Sequence, residues 1–109
     1  MQHVMTAQNT WLGRWGRSVG TSEGTTGEAF DASHTAFREF IEGCSAKQLA
    51  SVIEYADSRG QAFAVPLWQL VIQVCNHGTH HRAECGMLLG QLGRSPGDMD
   101  FLYFTLGRI

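Results

Sequence analysis

Apolar residues recur at helical spacing along residues 66–92, the longest periodic stretch of the chain. At about 100° per residue, eight of them fall within about 100° of one another around a helix. These eight are Leu67, Leu70, Val71, Val74, Cys85, Leu88, Leu89 and Leu92. One apolar stripe of this width is typical of a helix that packs against a core. Pro66 suits the first turn of a helix and Gly93 suits its end, so the pattern predicts one long helix between them.

Two shorter helices are predicted before the long one. Residues 3–17 carry apolar side chains at helical spacing: Val4, Ala7, Trp11 and Trp15. Residues 27–41 carry a second such set: Phe30, Phe37 and Ile41. Residues 20–27 between them are rich in Gly, Ser and Thr, which predicts a loop.

The middle of the chain predicts a small hairpin. Ser45 opens a short helical turn that runs to Leu49. Apolar runs at 52–55 and 62–65 then flank a turn that contains Gly60, which favours two paired strands. An apolar tail at 99–104 is expected to pack back on the helices. The predicted fold class is therefore all-α, a helical bundle of three long helices, with a small hairpin before the last one.

Three of the five histidines lie in the long predicted helix. With His77 placed at zero, His81 falls at about 40°, within the stripe, and His80 at about −60°, facing away. Because residues four apart lie one turn above each other, His77 and His81 are placed to hold one metal ion. Two core histidines with polar partners are the alternative, and the pair alone leaves both interpretations open. Gly78 stands where the zinc-protease motif requires glutamate, which argues against a protease.

The remaining candidates for chemistry have simpler interpretations. His34 lies on the apolar face of the second helix, where we expect a helix residue with a polar partner in preference to a metal ligand. The three cysteines, Cys44, Cys75 and Cys85, form no CxxC motif. We expect Cys75 and Cys85 to be small buried thiols in a reduced cytoplasm, with no disulfide framework.

Composition narrows the class of protein. A length of 109 residues suits a single domain over 1–109. The formal net charge of −2 does not indicate a positively charged surface for binding nucleic acid. No stretch is long and apolar enough to span a membrane, and the N-terminal residues lack the pattern of a signal peptide. These features lead us to expect a cytoplasmic protein that binds neither membranes nor nucleic acid.

Four ordered stretches of the chain resemble the DinB-like superfamily of metal-binding four-helix bundles. Residues 3–15 resemble its second helix, which begins with a metal-binding histidine. Residues 55–61 and 65–70 resemble its hairpin and the entry to its last long helix. Residues 74–82 resemble its most specific motif, and residues 91–93 and 98–101 resemble its C-terminal signature. The resemblance covers nearly the whole chain.

The resemblance implies a metal site made by His3, His77 and His81. Three histidines with one open position define a catalytic type of site, and imidazole ligands suit zinc or nickel. The implied activity is that of a metal-dependent enzyme, which transfers a small thiol to an electrophile or catalyses a hydrolysis or isomerisation. Glu84 replaces a glutamine that is frequent in the family and is the candidate proton-transfer residue. Its alternative roles are a solvated charge at the rim of the site or a partner that orients a histidine.

Two other functions remain open. The chain is alternatively a non-catalytic protein linked to stress or DNA damage, with a structural or vestigial metal. DNA binding is suggested only by the family name, and the low basic content argues against it. The family has four long helices, whereas three are predicted here, so we expect a homodimer or larger homo-oligomer to cover the apolar stripes.

Overall fold

The computed structural model describes residues 2–17 and 27–109. Its elements within these ranges are, in chain order, α1 (Gln2–Arg14), α2 (Gly27–Glu42), α3 (Ala46–Ala50), β1 (Val52–Ala56), β2 (Ala62–Pro66), α4 (Leu67–Gln91) and α5 (Phe101–Thr105). The predicted loop at 20–27 lies outside the described residues except for Gly27. The described part is mostly helical, but its two strands pair, so the all-α class is wrong in the strict sense.

The predicted hairpin is confirmed. Strands β1 and β2 pair antiparallel, with Tyr55 opposite Phe63. Asp57 shapes the turn, because its Oδ1 accepts hydrogen bonds from the backbone N–H groups of Arg59 and Gln61, each at 2.9 Å. Gly60 has a φ of +82°, a left-handed conformation that glycine adopts without steric cost. Local turn chemistry therefore specifies where this sheet folds back.

Both ends of α4 follow from residues visible in the sequence. Pro66 is the last residue of β2 and the N-cap of α4, so the strand passes directly into the helix. At the other end Gly93 has a φ of +71°, and the N–H of Arg94 bonds back to the carbonyl of Leu89 at 2.8 Å. That closing bond across a left-handed glycine is a common helix end. The predicted bounds of 66–92 are thus confirmed to within one residue.

A small core lies where α1 packs against α2 and α4. Its buried apolar residues are Val4, Met5, Leu12, Ala29, Leu67, Leu70 and Val74. In α1 the buried face is centred on Leu12, which has no exposed surface, while Trp11 and Trp15 are only half-buried. The stripe predicted on Trp11 and Trp15 is therefore displaced. The reason is that α1 has neighbours on two sides, and the tryptophans lie at the edge of the contact against the hairpin and α2.

The second helix also buries a different face from the one predicted. Ala29 and Ser33 are its buried residues, whereas Phe30 and Phe37 are half-buried. Small side chains at 29 and 33 let α2 approach α1 closely. Phe40 stacks on Trp15, with ring centroids 5.1 Å apart, and closes the end of this contact. Side-chain size at the helix contact, which periodicity ignores, decided the orientation of α2.

The apolar stripe of α4 is buried over only half of its length. Leu67, Leu70 and Val74 are buried, but Leu88 and Leu92 are exposed, contrary to the prediction of one core-facing stripe. The described part of α1 begins at the level of the histidines of α4, so it does not cover the last turns of that helix. Cys75 is likewise exposed and not a buried thiol, because it falls at about 160° on the helix, away from the stripe. Cys85 is half-buried.

The C-terminal tail turns back towards α4, as expected, but leaves its aromatic side chains exposed. A Cβ on Gly86 would lie 2.9 Å from the terminal methyl carbon of Met99, so the tail approaches α4 closely there. Asp100 then caps α5 by accepting the N–H of Leu102 at 3.1 Å. Phe101 and Phe104 of α5 remain exposed. None of the described helices is long and apolar enough to cross a membrane.

Candidate metal centre

Two histidines of α4 lie side by side at the end of the core. His77 and His81 are one turn apart, and their ring centroids are 4.6 Å apart. Both are half-buried, whereas His80 is exposed, with its ring centroid 5.1 Å from that of His81. This is the arrangement expected from a helical rise that returns to the same face after four residues.

Helix α1 brings a third histidine to the same place. His3 Nε2 lies 3.1 Å from His77 Nε2, although the two residues are 74 positions apart in sequence. The His3 ring centroid lies 4.8 Å from that of His81. One ring nitrogen from each of the three lies within 4.8 Å of the others. The structure therefore brings together the three predicted ligands, while metal binding itself stays a prediction.

The distances in this histidine cluster fit a metal ion with nitrogen ligands. A tetrahedral ion bound at about 2.0–2.1 Å places its ligand nitrogens about 3.3 Å apart. The His3–His77 separation of 3.1 Å is close to that value. The ligand nitrogens of the other pairs lie within 4.8 Å of one another. Three neutral imidazoles suit zinc or nickel, in agreement with the donor set expected from the sequence.

The surroundings of His77 favour the form that binds metal. Its pKa is lowered from 6.5, first by burial and then by the charges that His81, His3 and His80 carry when protonated. Burial and like charges both disfavour the imidazolium form. His77 is therefore neutral at neutral pH and keeps a nitrogen lone pair available.

Glu84 holds the outer side of the cluster. Its Oε2 accepts a hydrogen bond from His81 Nδ1 at 3.2 Å, and its Oε1 lies 2.8 Å from His80 Nε2. A histidine that donates through Nδ1 offers Nε2 as its lone-pair nitrogen. Glu84, His80 and His81 also form a second group with ligand atoms within 4.8 Å, which shares His81 with the first. The predicted proton-transfer residue thus contacts a candidate ligand directly.

A cleft beside α4 gives access to the site. It has a volume of about 590 Å³, and its lining includes His77, His80 and Glu84. Small-molecule sites commonly have volumes of a few hundred Å³ or more. The cleft is therefore large enough for a small substrate next to His77.

Sequence reasoning missed a buried polar network that joins α1 to α2. Gln8 Nε2 donates to Ser33 Oγ at 3.2 Å and to His34 Nδ1 at 3.3 Å, and Ser33 Oγ donates to Asn9 Oδ1 at 2.7 Å. His34 therefore has the polar partner expected for it and takes no part in the histidine cluster. Gln8 and Ser33 are both buried, but no local pattern in the sequence pairs residues of two different helices.

The chain was compared with protein families, curated proteins and solved structures. No curated protein and no solved structure matched it. One family model matches residues 1–107, which include all three histidines of the cluster and the hairpin. Since the match spans nearly the whole chain, this protein belongs to the DinB family.

Proposed function

We propose that this protein binds one divalent metal ion through His3, His77 and His81, and that it is a metal-dependent enzyme. The observation that carries the proposal is the 3.1 Å approach of His3 Nε2 to His77 Nε2, with His81 beside both. Two imidazole nitrogens at this distance on separate helices are compatible with binding to one shared metal ion. Family membership supports it, because the DinB family is associated with metal binding. The proposed metal is zinc or nickel.

The proposed reaction is transfer of a small thiol to an electrophile, with hydrolysis or isomerisation as related possibilities. Three protein ligands leave a coordination position open, which is the mark of catalytic metal sites. A bound metal would supply a Lewis acid that lowers the pKa of a thiol or of water. The chain itself would contribute a neutral His77, a His81 oriented by Glu84, and the adjoining cleft for the substrate.

We also extend the family fold to this chain. In the proposed arrangement α1, α2 and α4 correspond to three helices of an up-down four-helix bundle, with the hairpin placed before the last of them. The packing of α1 against both α2 and α4 supports this arrangement. It places the histidine cluster between two bundle helices, where such folds build their metal sites.

One observation favours the non-catalytic alternative, a stress-linked protein with a structural or vestigial metal. Both carboxylate oxygens of Glu84 are occupied, one by His80 and the other by His81. A carboxylate with two histidine partners suits a supporting role better than proton transfer to a substrate. Under this alternative the metal would stabilise the fold without turnover.

Metal content tests the binding proposal. Protein purified without added metal is expected to contain about one zinc or nickel ion per chain by elemental analysis. His77→Ala should lose this metal, whereas His80→Ala, which removes an exposed neighbour on the same helix, should retain it. Loss of metal in His80→Ala together with retention in His77→Ala would contradict the assignment of ligands.

An assay of substrate turnover distinguishes a metal-dependent enzyme from the non-catalytic alternative. The metal-loaded parent is offered low-molecular-weight thiols with an electrophilic acceptor, and product is followed by mass spectrometry. Product formation by the parent that is lost on chelation and in His77→Ala supports the proposal of a metal-dependent enzyme. Stoichiometric metal that raises stability without any turnover, across thiol, ester and isomerisable substrates, supports the structural alternative.

A further inference from the structure

Helices α2 and α4 and the C-terminal tail border a groove of about 870 Å³, which we call the tail groove. None of the three clustered histidines lines it. Its apolar lining includes Met99, Phe101 and Phe104, and its polar lining consists of His34, Thr79 and Arg82. A mostly apolar cavity of this size with a few polar groups is typical of a site for a small organic ligand.

The tail supplies an aromatic wall to this groove. The rings of Phe101 and Phe104 stack, with their centroids 6.4 Å apart and their planes 26° from parallel. Both side chains are exposed, although Asp100 fixes the start of α5 by accepting the N–H of Leu102 at 3.1 Å. An apolar group in the groove would cover this aromatic surface, and burial of apolar area is favourable. The wall therefore favours a ligand with a hydrocarbon part.

Arg82 supplies a positive charge to the tail groove. Its Nη2 donates to Thr79 Oγ1 at 3.4 Å, and its Nη1 would lie 2.7 Å from a Cβ on Gly78, so the side chain folds back along α4. Within residues 2–17 and 27–109, no carboxylate forms an ion pair with this guanidinium. A guanidinium can hold a carboxylate through two parallel hydrogen bonds. The groove therefore offers an unpaired cation beside its aromatic wall.

Helix α2 adds a second hydrogen-bond donor to the groove. Gln8 Nε2 donates to His34 Nδ1 at 3.3 Å, so the neutral ring of His34 carries its proton on Nε2 and can donate from there. The described lining contains no acidic side chain that would repel an anion. The polar side of the tail groove thus consists of donors, which favours a ligand with a negatively charged acceptor group.

We propose that the tail groove binds a small organic carboxylate. The carboxylate pairs with the guanidinium of Arg82, and the apolar part of the ligand packs against Phe101 and Phe104. One guanidinium balances the single charge of a carboxylate, whereas a phosphate monoester carries a charge of about −1.5 to −2 at neutral pH. Thr79 lines both the tail groove and the cleft beside His77, so the two cavities adjoin, but pairing with Arg82 needs no metal ion.

An NMR titration of backbone amide shifts in the full chain, as purified, tests the proposal. The probe is phenylbutyrate, which joins a phenyl ring to a carboxylate, and its neutral counterpart is phenylbutanol. Phenylbutyrate is expected to shift the amides around Arg82 and in α5. Phenylbutanol should bind about tenfold more weakly or worse, because it cannot form hydrogen bonds assisted by a negative charge. The cationic counterpart phenylbutylamine should not compete with phenylbutyrate.

Three variants locate the binding. Arg82→Met keeps an apolar stem without the charge, so it should weaken phenylbutyrate binding by about tenfold or more and leave phenylbutanol binding unchanged. Phe104→Ala should weaken binding of both compounds. Arg59→Met is the matched control, because Arg59 is exposed in the hairpin turn and does not line the groove, and it should bind like the parent.

The amide spectrum of each variant shows whether it keeps the fold. If Arg82→Met does not fold, Arg82→Lys replaces it, since lysine keeps the charge but loses the two parallel hydrogen bonds and should bind phenylbutyrate more weakly than the parent. The proposal is overturned if the parent binds no phenylbutyrate at millimolar concentration, also when another chain covers the groove. Equal affinity for phenylbutyrate and phenylbutanol, unchanged affinity in the Arg82 variant, or shifts confined to the histidine cluster also overturn it.

Discussion

At the scale of single residues, Glu84 has the clearest assigned contacts in the candidate site. One carboxylate oxygen accepts a hydrogen bond from His81 and the other lies beside His80 Nε2, so the side chain connects a candidate ligand with a residue outside the cluster. The contact with His81 fixes which ring nitrogen carries the proton. A change that preserves shape but removes the charge will therefore separate orientation of His81 from direct catalysis.

We predict that Glu84→Gln weakens metal binding by up to roughly 10- to 100-fold, the usual cost of losing a partner that orients a ligand, because a neutral amide oxygen is a weaker acceptor for His81 Nδ1 than a carboxylate. The fold should be little affected, because both contacts are at an exposed surface. Competition with a chelating indicator measures the metal affinity. His80→Ala is the control, since it keeps the Glu84–His81 contact and should bind metal like the parent.

The Glu84→Gln variant also tests the proposed role of Glu84 in proton transfer. If Glu84 only orients His81, then Glu84→Gln saturated with metal turns over any substrate at a rate comparable with the parent. A large loss of rate at full metal occupancy would instead show that the carboxylate acts on the substrate. Unchanged metal affinity would remove the orienting role.

At the scale of elements, the pairing of α1 with α2 depends on polar contacts within the core. Ser33 has no exposed surface, accepts from Gln8 and donates to Asn9. Buried polar groups are costly unless they are paired, and here each helix satisfies the other. The network holds α2 at one rotation about its axis, and α1 in turn carries His3.

We predict that Ser33→Ala lowers the free energy of unfolding by about 1–3 kcal/mol, because it removes the donor to Asn9 Oδ1 and leaves Gln8 Nε2 with His34 alone. Urea denaturation followed by circular dichroism measures the change. Thr35→Ala on the exposed side of the same helix is the matched control, and a change within about 0.5 kcal/mol is expected there. Equal effects of the two substitutions would show that the Ser33 contacts contribute nothing specific.

At the scale of the whole molecule, the histidine cluster joins the beginning of α1 to the middle of α4. His3 and His77 are 74 positions apart in the chain, so a metal ion bound by both would connect distant segments. A ligand that binds only the folded state stabilises it in proportion to the logarithm of its concentration. The metal is therefore expected to stabilise the tertiary structure as well as the site.

We predict that metal at about 100 times its dissociation constant adds about 2.7 kcal/mol to the free energy of unfolding. For a chain of this size that raises Tm by roughly 10 °C. Thermal unfolding with metal and with chelator measures the shift. His77→Ala should abolish it and His80→Ala should preserve it, whereas a shift that persists in His77→Ala would place the stabilising metal elsewhere.

The structural features that can be predicted from the sequence alone follow from interactions between residues close together in the chain. Pro66 and Gly93 bound α4, and Ser45 with Gln48 forms a capping box that starts α3. The spacing of His77 and His81 follows from the helical repeat alone. Each of these features depends on residues close together in the sequence, so it can be predicted without knowledge of the tertiary structure. The family resemblance was needed to add His3, since no local rule connects it with α4.

Only the tertiary structure decided which surfaces are covered. The periodicity of α4 is the same at Leu70 and Leu88, yet one is buried and the other exposed, because the described part of α1 covers only the first half of the helix. Ser33 is not part of the apolar pattern of its helix, yet it is fully buried where it contacts another helix. Burial depends on neighbouring elements, whereas periodicity describes a single element. The sequence therefore determined the helices and their histidine pair. Packing determined the core, the three-histidine cluster and the exposure of the second half of the α4 stripe.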